Sequence, residues 1–242
     1  MRLLLLGGTS EASQLARRLA ERGDIEATLS LAGRTARPAA SPLPTRVGGF
    51  GGAEGLARYL SDNRIGAVID ATHPFAAQMS AHAVAACAQA GVALAVLTRP
   101  PWRIEAGWRE VGDAAEAAEA LGEAPRRVLL TVGRLSAGAF RAAPQHHYVL
   151  RSIDAPDDLP AGAEIVLARP PFALADERAL MTSRRIAIVV SKNAGGEATR
   201  AKLDAARELG LPMVMIRRPP LGAATTFYDV ESALGWIHRG AS

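Results

Sequence analysis

Four consecutive leucines that run straight into two glycines constrain this chain more than any other stretch. Leu3 to Leu6 read as a strand buried on both faces, because a half-exposed strand would alternate with polar residues. Gly7 and Gly8 follow at once. Ala12, Leu15, Ala16 and Leu19 then recur at helical spacing, with Gly23 as the stop. Strand, glycine turn and helix form the first half of a dinucleotide-binding unit. Glycine permits a tight turn and lets a pyrophosphate approach the backbone. The first N–H groups of the helix then hold the phosphate, helped by the helix dipole. Thr9 and Ser10 can add hydroxyl donors. The spacing is Gly-Gly-x-x-x-Ala rather than Gly-x-Gly-x-x-Gly, so an ordinary tight turn is the competing reading.

The end of the next strand distinguishes one dinucleotide from another. Ile25 to Leu31 reads as that strand, and it ends in Ala32-Gly33-Arg34-Thr35, with Arg37 close behind. A carboxylate about 20 residues past the glycines favours NAD, whereas an arginine accommodates a 2′-phosphate. This strand has an arginine and no carboxylate at its end, which favours NADP. Arg34 can meet the phosphate as a planar fork; the alternative is an exposed loop arginine.

The first half continues as alternating strands and helices. Pro38, Pro42 and Pro44 mark an irregular connection before a short strand at Arg46-Val47. Gly48 to Gly52 is a glycine-rich turn ahead of a helix over Ala53 to Asn63. Ala67 to Asp70 reads as the fourth strand, and Ala71-Thr72-His73-Pro74-Phe75-Ala76 opens a helix to about Gln89. Pro74 suits a first helical turn, with Thr72 or His73 as cap. Ligands of open α/β sheets bind outside the carboxyl ends of strands, which is where Thr72 and His73 fall. Val92 to Leu97 is the fifth strand. Arg99-Pro100-Pro101-Trp102 reads as a domain boundary, giving residues 1–98 and 99–242.

Beyond it lies a second α/β layer pattern. Candidate strands are Val128 to Val132, Tyr148 to Leu150, Ile165 to Leu167, Ile186 to Val190 and Met213 to Ile216. Candidate helices are Asp113 to Leu121, Leu135 to Phe140, Leu174 to Thr182, Thr199 to Leu209 and Val230 to Arg239. The strand at Ile186 runs into Ser191-Lys192-Asn193-Ala194-Gly195-Gly196-Glu197 and then a helix. That is a second candidate anion site, with Lys192 as a point charge and backbone N–H groups behind it. It lacks the Gly-x-x-x-x-Gly-Lys-Ser/Thr spacing of a nucleoside triphosphate loop. Arg169-Pro170-Pro171 and Arg217-Arg218-Pro219-Pro220 each place arginine after a strand, where with Lys192 they can line a cleft for carboxylates.

Composition narrows the partners. The formal net charge is +4, yet aromatics are only 5% and basic residues form no run. An acidic small molecule therefore fits better than nucleic acid. No apolar run approaches the ~20 residues of a membrane span. The leucine run is too short for the apolar core of a signal peptide. Cys87 is the only cysteine, which excludes disulfides within the chain and fits a reducing cytoplasm. One cysteine and five scattered histidines give no metal-ligand spacing.

Three stretches together carry a resemblance: Leu6-Gly7-Gly8-Thr9-Ser10-Glu11-Ala12, Asp70-Ala71-Thr72-His73-Pro74-Phe75-Ala76 and Ser191-Lys192-Asn193-Ala194-Gly195-Gly196. The chain resembles the precorrin-6A reductase family of cobalamin biosynthesis, over nearly its whole length. The resemblance implies two Rossmann-like domains with mainly parallel sheets and a cleft between them, the first domain binding NADPH. It implies reduction of one double bond of precorrin-6A to give precorrin-6B; relatives of the anaerobic pathway take the cobalt-containing form. Carried over, Gly7 to Glu11 would face the pyrophosphate, Gly33 to Thr35 the adenosine phosphate and Thr72 to Phe75 the nicotinamide side. Lys192, Asn193, Gly195 and Gly196 would face the substrate, a tetrapyrrole whose many carboxylates also suit Arg169 and Arg217. The partners implied are this tetrapyrrole and other enzymes of the corrin pathway. The resemblance names no proton donor.

Three other readings compete. A short-chain dehydrogenase needs Tyr-x-x-x-Lys, and none of Tyr59, Tyr148 and Tyr228 has lysine four positions later. A methyltransferase of the same pathway would need an acidic residue where Arg34 stands. A non-catalytic NADP-binding sensor domain differs only by lacking turnover.

Overall fold

The computed structural model describes residues 1–33, 40–156, 158–220, 222 and 224–240. The chain divides into two compact units, residues 1–100 with 219–242 and residues 101–218. Each is built on a six-stranded sheet in which every strand pairing is parallel.

In the first unit, β1 (Arg2–Leu6) lies between β2 (Glu26–Leu31) and β4 (Ala67–Asp70). Its leucines explain the central position. Leu3 and Leu5 point into a cluster with Leu15 and Leu19 of α1 (Ser10–Ala20) and Trp236 and Ile237 of α7 (Val230–His238). Leu4 and Leu6 point the other way, against Leu56 and Leu60 of α2 (Gly52–Asp62) and Ala83 and Ala86 of α3 (Ala77–Ala90). Both faces are covered, as the unbroken leucine run requires. β3 (Thr45–Val47) and β5 (Ala93–Leu97) extend the sheet, and β12 (Thr225–Phe227) closes it in the order β12-β5-β4-β1-β2-β3.

The second sheet has the order β6-β11-β10-β7-β8-β9. Its strands are β6 (Trp108–Val111), β7 (Arg127–Thr131), β8 (His147–Ser152), β9 (Glu164–Leu167), β10 (Ile188–Lys192) and β11 (Met213–Ile216). Helices α4 (Ala114–Ala120), α5 (Leu174–Ser183) and α6 (Ala201–Glu208) connect them, with 3-10 turns at Arg134–Ala142 and Glu197–Thr199. Both sheets have the Rossmann strand order, which reverses beside β1 in the first unit and beside β7 in the second.

Two differences from the sequence reading stand out. β6 and β12 were not expected, and they exchange places relative to chain order. β6 follows β5 in the chain but pairs with β11, while β12 follows β11 but pairs with β5. The last strand and helix therefore pack in the first unit, through Phe227, Ala233, Leu234, Trp236 and Ile237. A second domain running from 99 to 242 is thus corrected to 101–218. The start of α3 also differs. The helix begins at Ala77, so Pro74 is not in its first turn and neither Thr72 nor His73 caps it.

Candidate functional site

The first candidate site forms at the carboxyl ends of β1 and β4, where the strand order of the first sheet reverses. Gly7 is held tightly: its N–H donates to Ser30 O at 2.9 Å, and a Cβ there would lie 2.5 Å from Leu29 Cδ1. Gly8 is the opposite case. Its φ is +130°, which disfavours any side chain, and a Cβ there would meet nothing within 4 Å. The backbone at Gly8 is thus open to a close-approaching group. Thr9 caps α1 by accepting from Ala12 N at 3.1 Å and donates its own proton to Ala71 O at 2.8 Å. That hydroxyl is committed, so Thr9 is a positioning residue and not the extra donor the sequence suggested. It also ties the glycine turn to the loop after β4. Ser10 bonds Glu11, and Glu11 in turn accepts from Arg99 at 3.0 Å, which offsets its negative charge beside the helix N-terminus.

Asp70 shapes the neighbouring loop. Its buried carboxylate accepts from Thr72 N at 3.0 Å, Thr72 Oγ1 at 2.6 Å and Ser80 Oγ at 2.6 Å. These bonds fold residues 71–76 into a turn, closed by Ala76 N to His73 O at 2.7 Å, and this delays the helix. Phe75 N–H donates to His73 Nδ1 at 3.2 Å, which puts the proton of a neutral ring on Nε2. The glycine turn and Thr72 to Phe75 are therefore brought together. Cys87 lies behind them on α3; burial, with a smaller push from Asp70, raises its thiol to about 12. A thiol raised this far stays protonated at neutral pH.

Gly33 closes β2 with φ +71°, and a Cβ there would meet Val47 Cγ1 at 3.3 Å. Arg34 and Thr35 lie outside the described residues.

The second candidate site is the loop after β10. Lys192 is the last residue of that strand and is partly exposed. Asn193 is not presented for binding. Its buried amide accepts from Trp102 N at 2.8 Å and donates to Trp102 O at 3.0 Å, both bonds spanning 91 positions of sequence. Its role is to hold the loop. Arg218 completes the clamp by donating to Asn193 O at 2.7 Å and Ala194 O at 2.8 Å. Lys202 adds a cation 4.6 Å from the Trp102 ring. Gly195 and Gly196 turn the chain with φ +68° and +82°.

The predicted arginines are less concentrated than their sequence pattern suggests. Arg217 is exposed and 3.8 Å from Glu110, so Arg218 is the arginine that engages the loop. Arg169 follows β9, three strand spacings from β10, or roughly 14 Å at ~4.8 Å each. Its segment nonetheless returns, since Phe172 N bonds Ala198 O at 3.2 Å. A buried pair that sequence reasoning missed, Arg151 with Glu177, supports this return. The Arg151 guanidinium stacks 3.7 Å from the Phe172 ring, and burial lowers its pKa to about 10. Among the described residues no group of three or more His, Cys, Asp or Glu could hold a metal ion, and no helix is long and apolar enough to cross a membrane.

Two turns at carboxyl strand ends, on separate sheets of Rossmann order, suit one dinucleotide and one further anionic ligand. Comparison with known families settles the class. The family described as precorrin-6x reductase CbiJ/CobK matches residues 2–238. The chain belongs to this family. It is accordingly a reductase. A precorrin-6A reductase of Rhodobacter capsulatus is 53% identical over 98% of the chain and 95% of its own length. A cobalt-precorrin-6A reductase of Salmonella typhimurium is 30% identical over 96% of the chain and 93% of its own length. A solved CobK precorrin-6A reductase superposes with a TM-score of 0.92 at 52% identity, covering 99% of this chain and 97% of that one.

Proposed function

We propose that this protein reduces one double bond of metal-free precorrin-6A with NADPH, giving precorrin-6B, in the cytoplasm. Reduction of precorrin-6A in cobalamin biosynthesis follows from membership of the family. The metal-free form is favoured by 53% identity to a precorrin-6A reductase against 30% to a relative named for the cobalt form.

One observation supports the cofactor assignment above the rest. The turn at Gly8 has a positive φ and open space where a Cβ would be, at the strand-order reversal of the first sheet. A pyrophosphate needs that close approach. NADPH supplies the hydride when bound; the protein supplies position and electrostatics. In this reading Gly7, Gly8, Ser10 and the first N–H groups of α1 hold the pyrophosphate, and Thr9 and Glu11 fix the turn. Gly33, Arg34 and Thr35 serve the adenosine phosphate. Thr72, His73, Pro74 and Phe75 border the nicotinamide, with Asp70 holding their loop. Lys192, Gly195, Gly196, Arg169 and Arg217 meet the carboxylates of the tetrapyrrole, and Asn193 positions Lys192.

The test is incubation of the purified protein with precorrin-6A and either NADPH or NADH, following loss of reduced-cofactor absorbance. Rapid turnover with NADPH and metal-free substrate is expected. Turnover only with the cobalt-loaded ring, or with NADH alone, would refute the proposal.

A further inference from the structure

A second arginine, remote from the glycine turn in sequence, stands at the adenosine end of the first sheet. β3 pairs with β2 so that Arg46 lies opposite Ser30, and the chain after β3 returns to β2 through Gly48 N to Leu31 O at 2.9 Å. The Arg46 guanidinium reaches across that pairing. Its Nη1 donates to Ser30 Oγ at 2.8 Å and to Gly48 O at 3.0 Å, and its Nη2 donates to Gly49 O at 3.0 Å. The Arg46 Cζ lies 3.8 Å from the Phe50 ring centroid and 5.4 Å from that of Tyr59, and the two rings meet edge to face at 5.1 Å. Arginine on an aromatic face is well ordered and poorly hydrated, a good state for meeting an anion.

The donor count points outward. An arginine has five N–H groups. Three are committed, and none of the described residues takes the remaining two, the Nε–H and one N–H of Nη2. These two groups flank one edge of the guanidinium and form the fork that grips a phosphate with two parallel bonds. The residue is only partly buried, so the edge is reachable. No carboxylate lies from Ala27 to Gly33, the stretch leading to the carboxyl end of β2. A hydroxyl, Ser30, stands there instead and holds the arginine.

We propose that Arg46 is a specificity-determining residue of the cofactor site, binding the 2′-phosphate that distinguishes NADPH from NADH. This rests on the assignment of NADPH to the first unit. Arg46 belongs to β3, so it reaches the carboxyl end of β2 from the neighbouring strand. The clamp on Ser30, Gly48 and Gly49 fixes the guanidinium before the cofactor arrives, which limits the entropy lost on binding.

The experiment is a direct fluorescence titration of wild type, Arg46→Lys and Arg46→Ala with NADPH and NADH. Adenosine 2′,5′-bisphosphate and adenosine 5′-monophosphate serve as fragment probes, and thermal melts confirm folding. Loss of a charged, forked contact should reduce the preference for NADPH by roughly tenfold or more in the alanine variant. The lysine variant keeps the charge without the fork and should fall between. Preference for the bisphosphate over the monophosphate should decline in parallel. A folded lysine variant with the full wild-type preference overturns the proposal, as does equal weakening of both dinucleotides, which marks a purely structural clamp. A wild type that binds neither dinucleotide overturns the cofactor assignment itself.

Discussion

Replacing Asn193 by alanine should separate the holding of the second loop from the binding it serves. The side chain is 4% exposed and makes two bonds to the backbone of Trp102, at 2.8 and 3.0 Å. Truncation leaves one backbone N–H and one backbone C=O without those partners. Each buried polar group stranded in this way costs about 1–3 kcal/mol, so the loss should be about 2–6 kcal/mol. All the affected groups lie in the unit of residues 101–218, so its unfolding transition should shift while that of the other unit stays in place. Urea unfolding followed by tryptophan fluorescence can read this, since Trp102 and Trp108 report on one unit and Trp236 on the other. Function should follow in one direction. Loosening residues 192–196 raises KM for the tetrapyrrole and leaves the Kd for NADPH within about twofold, well under the tenfold that 1.4 kcal/mol would produce. A destabilisation below about 1 kcal/mol would refute the reasoning, because it would mean the amide is readily replaced by water. Lost NADPH affinity with an unchanged KM would refute the assignment of this loop.

Four further outcomes are expected. Gly8→Val should fold, at a cost of about 1–3 kcal/mol for its backbone conformation, and fail to bind NADPH; normal affinity in a folded variant would place the phosphates elsewhere. Lys192→Ala should raise KM for the tetrapyrrole and spare NADPH binding, as a titration and a rate series on the same variant can show. Arg34→Ala should weaken NADPH by about 1.5–3 kcal/mol with little effect on NADH, and equal losses in the two titrations would count against it. Burial, with Arg126 nearby, lowers the His146 pKa below its ordinary 6.5. The unfolded chain therefore binds the proton first on acidification. Stability is full above pH ~6.5 and falls as pH drops towards the folded-state value, and His146→Gln should flatten that slope in melts taken across pH.

The sequence made the framework legible because its signals are local. Leu3 to Leu6 read as a buried strand because Gly7 and Gly8 end the run at once, and the spacing of Ala12, Leu15, Ala16 and Leu19 matches the buried face of α1. What it hid depends on distant contacts. β6 and β12 are short edge strands with one partner each, so neither has the apolar run or alternation that marks a central strand. Their exchange is decided by pairing across the fold, and that misplaced the domain boundary. Pro74 signalled a helix start correctly in kind, but Asp70 gathers Thr72 and Ser80 and moves the start to Ala77. The family resemblance carries Asn193 to the substrate; only the Trp102 backbone, 91 positions away, reveals its work. Arg46 left no trace in spacing, since its partners Ser30 and Phe50 meet it through sheet register.

The two units share a strand order but differ at the position that matters for a dinucleotide. In the first, the strand at the order reversal is β1, and it leads through Gly8 into α1, an eleven-residue helix capped by Thr9. The equivalent strand of the second is β7, followed by Gly133 with φ +74°. There the chain enters a 3-10 turn, Arg134–Ala142, with no side-chain cap. A 3-10 segment has a tighter, poorer hydrogen-bond geometry and does not present the row of aligned N–H groups that a pyrophosphate uses. The second unit keeps its glycine loop one strand over, after β10, where the side chain of Asn193 and not a helix cap sets the geometry. Duplicated topology with divided chemistry supports the proposal of one dinucleotide per chain, held by the first unit, with the loop of Lys192 proposed to meet the substrate.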